Sequence, residues 1–163
     1  MVREAIPMAA ASDLERVRAL FDALDAGSLD VDEDGCFSLS QGEEDVLSFQ
    51  VLEGLAAMKC MIGVGKLPAV DRGRAMRSVL EHNLSFACAD IPGTLGVLPT
   101  TDEIHWSSLV ALDKGAAGGE AMPLTPQEFR SLLAAMTGIA GQCRQALAQA
   151  FEPLSAVRPT DLA

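Results

Sequence analysis

Six consecutive residues, Asp30-Val31-Asp32-Glu33-Asp34-Gly35, carry the pattern that points most directly to chemistry. Acids at positions 1, 3 and 5 of a loop, with glycine at 6, match the start of an EF-hand, in which carboxylates ring a calcium ion and glycine permits the sharp turn. Phe37 fills the apolar eighth position. The twelfth position is Gln41, which lacks the bidentate carboxylate that completes the shell, and the residues after Gly42 alternate as a strand does. The plainer reading is an acidic turn feeding a strand, with a single EF-hand-like calcium site as the alternative.

The remaining reactive residue types form no constellation. Cys36, Cys60, Cys88 and Cys143 are far apart, and with His82 and His105 they offer no metal-ligand spacing, so neither a metal nor a cofactor is expected. The thiols read as reduced and buried. Each histidine sits beside strongly apolar neighbours, as surface or core histidines do, and no GxSxG nucleophile motif occurs. Gly63-Val64-Gly65-Lys66 resembles a fragment of a phosphate loop but lacks its GxxxxGK[ST] spacing. Glu43, Glu44 and Asp45 read as the solvated edge of a hairpin turn. No group is placed as acid, base or nucleophile, so an enzyme is not expected.

The chain that must position these residues has 163 of them, with 12 basic and 23 acidic side chains and a net charge of −11. Residues 1–60 alone hold 13 acids and 4 bases. Nucleic acid and anionic membranes both need neutralising cations, so neither is an expected partner. At 49% hydrophobic the chain is a folding one, and no apolar stretch has the length of a membrane span or a secretory leader. A cytoplasmic protein with one domain over residues 1–151 and a flexible tail over 152–163 is expected.

Three helices are predicted. Ser12 and Glu15 form a capping box before an apolar stripe at Leu14, Val17, Leu20, Phe21 and Leu24, with Gly27 as the stop, giving a helix over 12–26. A second runs over 71–86, with Ala75, Met76, Val79, Leu80 and Leu84 on one side. The third begins at Thr125-Pro126-Gln127-Glu128, an N-cap, a first-position proline and a capping-box glutamate, and continues to Phe151, with Pro153 ending it. Between them the period falls to two around Phe37, over Leu47–Val51, Met58–Val64 and Leu95–Val97, and again over Ile104–Ser108. Neighbouring strands joined by short turns imply an antiparallel sheet with segregated helices, an α+β domain. The strand over 56–64 shows little polarity on either face. Such apolar surface suggests a second copy or a protein client, with ordinary core as the equal alternative.

Three segments resemble the small acidic chaperones of bacterial type III secretion, the Tir-chaperone (CesT-like) family. They are SDLERVRALFDALDAG running into SLDVDEDGCFSLS, then MRSVLEHNLSF with Leu80 followed by Asn83, and GTLGVLPTTDEIHWSSLVAL leading to the last helix. The resemblance spans residues 12–151 and gives the Asp30–Gly35 run a structural place. It implies an αβββαββα protomer that forms a homodimer through the second helix and a neighbouring strand, here Met76, Val79, Leu80 and Asn83. It further implies a non-enzymatic cytoplasmic protein that holds the N-terminal segment of one or more secreted effectors competent for export, with the secretion-apparatus ATPase as a further partner. Strand addition and apolar anchors would hold the client. Grooves between the first helix and the sheet would be lined by Leu14, Val17, Phe21, Phe37, Leu47, Phe49 and Trp106, residue types that equally suit plain core. A same-fold regulatory domain of the YbjN-like kind is the alternative within this fold. The tail after Phe151 and the Gly-rich loop over 113–123 depart from the family pattern.

Overall fold

The computed structural model describes residues 12–25, 30–41, 45–86, 91–115 and 122–155. The element order is α1 (Asp13–Asp22), β1 (Cys36–Gln41), β2 (Asp45–Leu52), β3 (Ala57–Lys66), α2 (Arg72–Phe86), β4 (Thr94–Val97), β5 (Glu103–Ala111), β6 (Asp113–Lys114), β7 (Met122–Pro123) and α3 (Pro126–Ser155). This is the expected αβββαββα order with one addition, the two-residue β6–β7 pair. The five long strands make one antiparallel sheet in the order β1-β2-β3-β5-β4, so β1 and β4 are its edges.

Period-two alternation does what the sequence expected of it. Phe37, Leu47, Phe49, Cys60, Ile62, Ile104 and Trp106 are buried, and the residues between them face the other side of the sheet. β3 has the single buried face that its alternation implies: Lys59 and Gly63 are exposed and Met61 is half-buried. Phe21 of α1 meets Phe37, Phe49 and Phe129 edge-on at centroid distances of 5.0–5.2 Å, and this aromatic knot ties α1 and α3 to the sheet.

Helix ends follow local chemistry, with two corrections. The Ser12–Glu15 capping box forms, with reciprocal bonds of 3.2 and 2.9 Å. α1 stops at Asp22, however, and Asp25 takes a left-handed conformation at φ 54°. Gly27 lies outside the described residues. Pro153 does not end α3, which continues through it to Ser155. A proline forfeits one backbone bond and crowds the carbonyl four residues back, but here the extra turn buries Leu154 to 2% exposure. α3 therefore runs past residue 151, and residues 156–163 are outside the described set.

A polar lock, invisible to periodicity, fixes α1 on the β2–β3 turn. The Glu53 carboxylate accepts the backbone N–H groups of Asp13 and Leu14 at the free end of α1, and the Asp13 carboxylate accepts those of Gly54 and Ala56. Each acid thus satisfies donors that would otherwise be left without partners.

Candidate functional site

The acidic run resolves into a turn. Asp32 Oδ1 accepts the backbone N–H groups of Asp34 and Cys36 at 3.0 and 2.7 Å, and Gly35 sits at φ 73°. Where an EF-hand requires a second helix, residues 36–41 are strand β1. Among the described residues no group of three or more His, Cys, Asp or Glu side chains could hold a metal ion. Burial alone pushes the Cys60 thiol up to about 12, and burial leads the rise of Cys143 to about 11; both are core thiols. Cys88 lies outside the described residues.

Neither histidine is set up as a base. His82 Nδ1 lies 2.7 Å from the carbonyl of Ser78 on its own helix. His105 lines a cleft of about 530 Å³ with Glu103 and Arg144, and His82 lines one of about 600 Å³ with Asp71, Arg74, Arg77 and Glu81. His105 Nε2 is 3.6 Å from Glu103, beyond hydrogen-bond reach, while Arg144 is bonded to the carbonyl of Gly63 where β2 and β3 part.

The residues expected to line a client groove are largely core. Val17, Phe21, Phe37, Leu47, Phe49 and Trp106 are buried within the protomer, and Leu14 is half-buried. Large apolar side chains of this kind fill the space between sheet and helices. The dimer set divides as well. Val79 is core, Met76 is half-buried against that core, and the Asn83 amide is bonded to both the N–H and the carbonyl of Leu95 on β4. Of the four, only Leu80 is presented outward, at 60% exposure, with Leu84 one turn on at 77%.

Two surface features bear on a partner. One is that outward stripe of α2. The other is a cleft of about 630 Å³ between the end of α1, strand β1 and α3, lined by Leu24, Leu39, Ser40, Arg130, Leu133, Ala134 and Thr137. Leu39 and Ser40 lie on β1, whose outer edge carries no partner strand among the described residues. An open backbone edge beside an apolar cleft is the arrangement by which an extended peptide is bound, with main-chain bonds for affinity and a pocket for a side chain. The sequence signal for this cleft was faint. Leu24 and Leu39 are each the last apolar residue of their stripe, and Arg130 is a cation in a helical row with Leu133, Ala134 and Thr137.

No family model matches the sequence, and no curated protein matches it. Solved structures do. A chain of the ExsC–ExsE complex superposes with a TM-score of 0.61 at 18% identity, covering 82% of this chain and 92% of that one. A chain of the HopA1–SchA chaperone–effector complex gives 0.54 at 11% identity, with 80% and 91% covered. A chain of the complex between the Yersinia pestis type III secretion chaperone SycH and a stable fragment of YscM2 gives 0.55 at 11% identity, with 80% and 98% covered. The α+β fold of three helices and a five-stranded antiparallel sheet is thus shared with these solved chains over about four-fifths of this chain.

Proposed function

We propose that this protein is a chaperone that holds an extended segment of a secreted effector protein and keeps it competent for type III export, acting as a homodimer in the bacterial cytoplasm with no chemistry of its own. The observation that carries the reading is the fold likeness to chains solved in complex with a second protein, two of them described as chaperone complexes. The cleft beside β1 supports it, since it offers a strand edge and an apolar pocket together. The exposed Leu80–Leu84 stripe supports the twofold partner.

The test is purification of the tagged full chain from its own cells, followed by mass spectrometry of what accompanies it and limited proteolysis of the complex. A secreted protein is expected, protected from protease over one short stretch near its N-terminus. Recovery of no secreted protein under conditions that induce secretion would overturn the proposal. Among the described residues no helix is long and apolar enough to cross a membrane.

A further inference from the structure

Among the described residues the cleft between α1, β1 and α3 has one charged residue on its lining, Arg130. The side chain is exposed, and no carboxylate or other partner engages it among the described residues. The half-buried Arg16 and Arg144 are engaged: Arg16 bridges Asp13 and Asp113, and Arg144 holds the Gly63 carbonyl. Among the described residues Arg130 is therefore a cation without a partner on the wall of an apolar cleft, on a protein whose net charge is −11.

Two electrostatic effects of opposite sign act on anything that enters. The surplus acids repel a negatively charged segment, but at physiological ionic strength exposed charges are screened beyond about 8 Å. A guanidinium in the cleft acts at contact distance, where its planar fork matches a carboxylate in a bidentate pair. The distant field disfavours a segment rich in acids, while the contact favours one acid placed next to the side chain that fills the cleft.

Building on the reading of this cleft as the client site, we infer that Arg130 selects segments in which an apolar anchor is accompanied by a single carboxylate, within a stretch that is otherwise neutral or basic. Arg130 is thus a specificity residue: Leu24, Leu39 and Leu133 supply apolar contact to any anchor, and Arg130 distinguishes among anchors by the charge of their neighbour.

The experiment uses three labelled peptides with the same alternating Ser/Leu sequence and one variable position beside the central leucine, occupied by Asp, Asn or Lys. Anisotropy titrations on the full chain are expected to show the Asp peptide bound about threefold more tightly than the Asn peptide, the scale of a part-exposed ion pair, and the Lys peptide bound more weakly than both. Added salt should shrink the difference. Arg130→Gln should abolish the Asp preference, and Arg130→Glu should turn it into a Lys preference. If Ala134→Trp, which fills the cleft from an exposed position, leaves binding unchanged, or if no peptide binds, the cleft is not the client site. If Ala134→Trp blocks binding but Asp and Asn peptides bind alike, the cleft reading stands and the role of Arg130 is overturned.

Discussion

Gly93 owes its identity to Trp106. A Cβ built at position 93 would fall 2.3–2.5 Å from the indole ring atoms, closer than any relaxed contact allows. The ring is fully buried between β4 and the helices and cannot swing aside freely. Gly93→Ala is therefore expected to destabilise the fold by about 1–3 kcal/mol, the usual cost of overpacking. Trp106 is the single tryptophan of the chain, so its fluorescence reports the unfolding directly. An unchanged urea midpoint would show that the indole relaxes at no cost. Asn83 makes a second residue-scale case. Its amide bridges α2 to β4 through both backbone groups of Leu95, with bonds of 2.9 and 2.5 Å. Among the described residues β4 pairs with one other strand over four residues, so this clamp is a large share of what holds it. Asn83→Ala should cost about 1–3 kcal/mol and should speed amide exchange at Leu95 more than in β2 or β3. Equal protection in variant and wild type would mean that β4 stands without the clamp.

At the scale of elements, the start of α3 makes a prediction about acid. Glu128 is bonded to the Lys114 ammonium, the Thr125 hydroxyl and the Thr125 backbone N–H. The lysine first, then the two Thr125 bonds, hold its carboxyl down from an ordinary 4.5 to about 2. A carboxyl depressed in the folded state contributes stability that is present above its unfolded value and is lost as pH falls through its folded one. The stability difference between wild type and Glu128→Gln should thus be constant from neutral pH to about 4.5, then shrink and vanish near pH 2. A difference that persists unchanged at pH 2 would assign the effect to the cap's shape rather than its charge. This same cap was legible in the sequence because all its parts lie within four residues of one another, and α2 and the long strands were legible for the same local reason. Pro153 misled because the local rule for proline is overridden by the burial of Leu154. The β6–β7 pair was not foreseen, since two residues give no period, and Asp113 and Lys114 are held by Arg16 and Glu128 from other elements. The candidate groove residues are a related case: Phe21, Phe49 and Trp106 have the size that a groove and a core both select, and all three are buried in the protomer. The cleft is made instead by residues at the ends of stripes, brought together only when α1 and α3 settle across β1.

For the whole molecule the question is whether the α2 stripe suffices to hold two copies together. Fully burying a leucine contributes about 1.5–3 kcal/mol, and Leu80 and Leu84 are already partly covered, at 60% and 77% exposure. Four such side chains across a twofold axis would give roughly 4–8 kcal/mol, against about 4–15 kcal/mol for the lost freedom of association. The two terms are close, so a dimer must recruit neighbouring surface, with the β4 edge at hand beside α2, and it has little to spare. Leu80→Asp removes two of the four leucines and places two carboxylates in an apolar contact. Light scattering at micromolar concentration should therefore give twice 17.1 kDa for the wild type and a single 17.1 kDa unit for the variant. Leu109→Asp is the control, because Leu109 is as exposed as Leu80, at 63%, but lies on β5. It should leave the doubled mass intact. A dimer that survives Leu80→Asp and falls apart with Leu109→Asp would move the interface from the helix to the sheet, and a wild type of single mass would leave the α2 stripe for another partner.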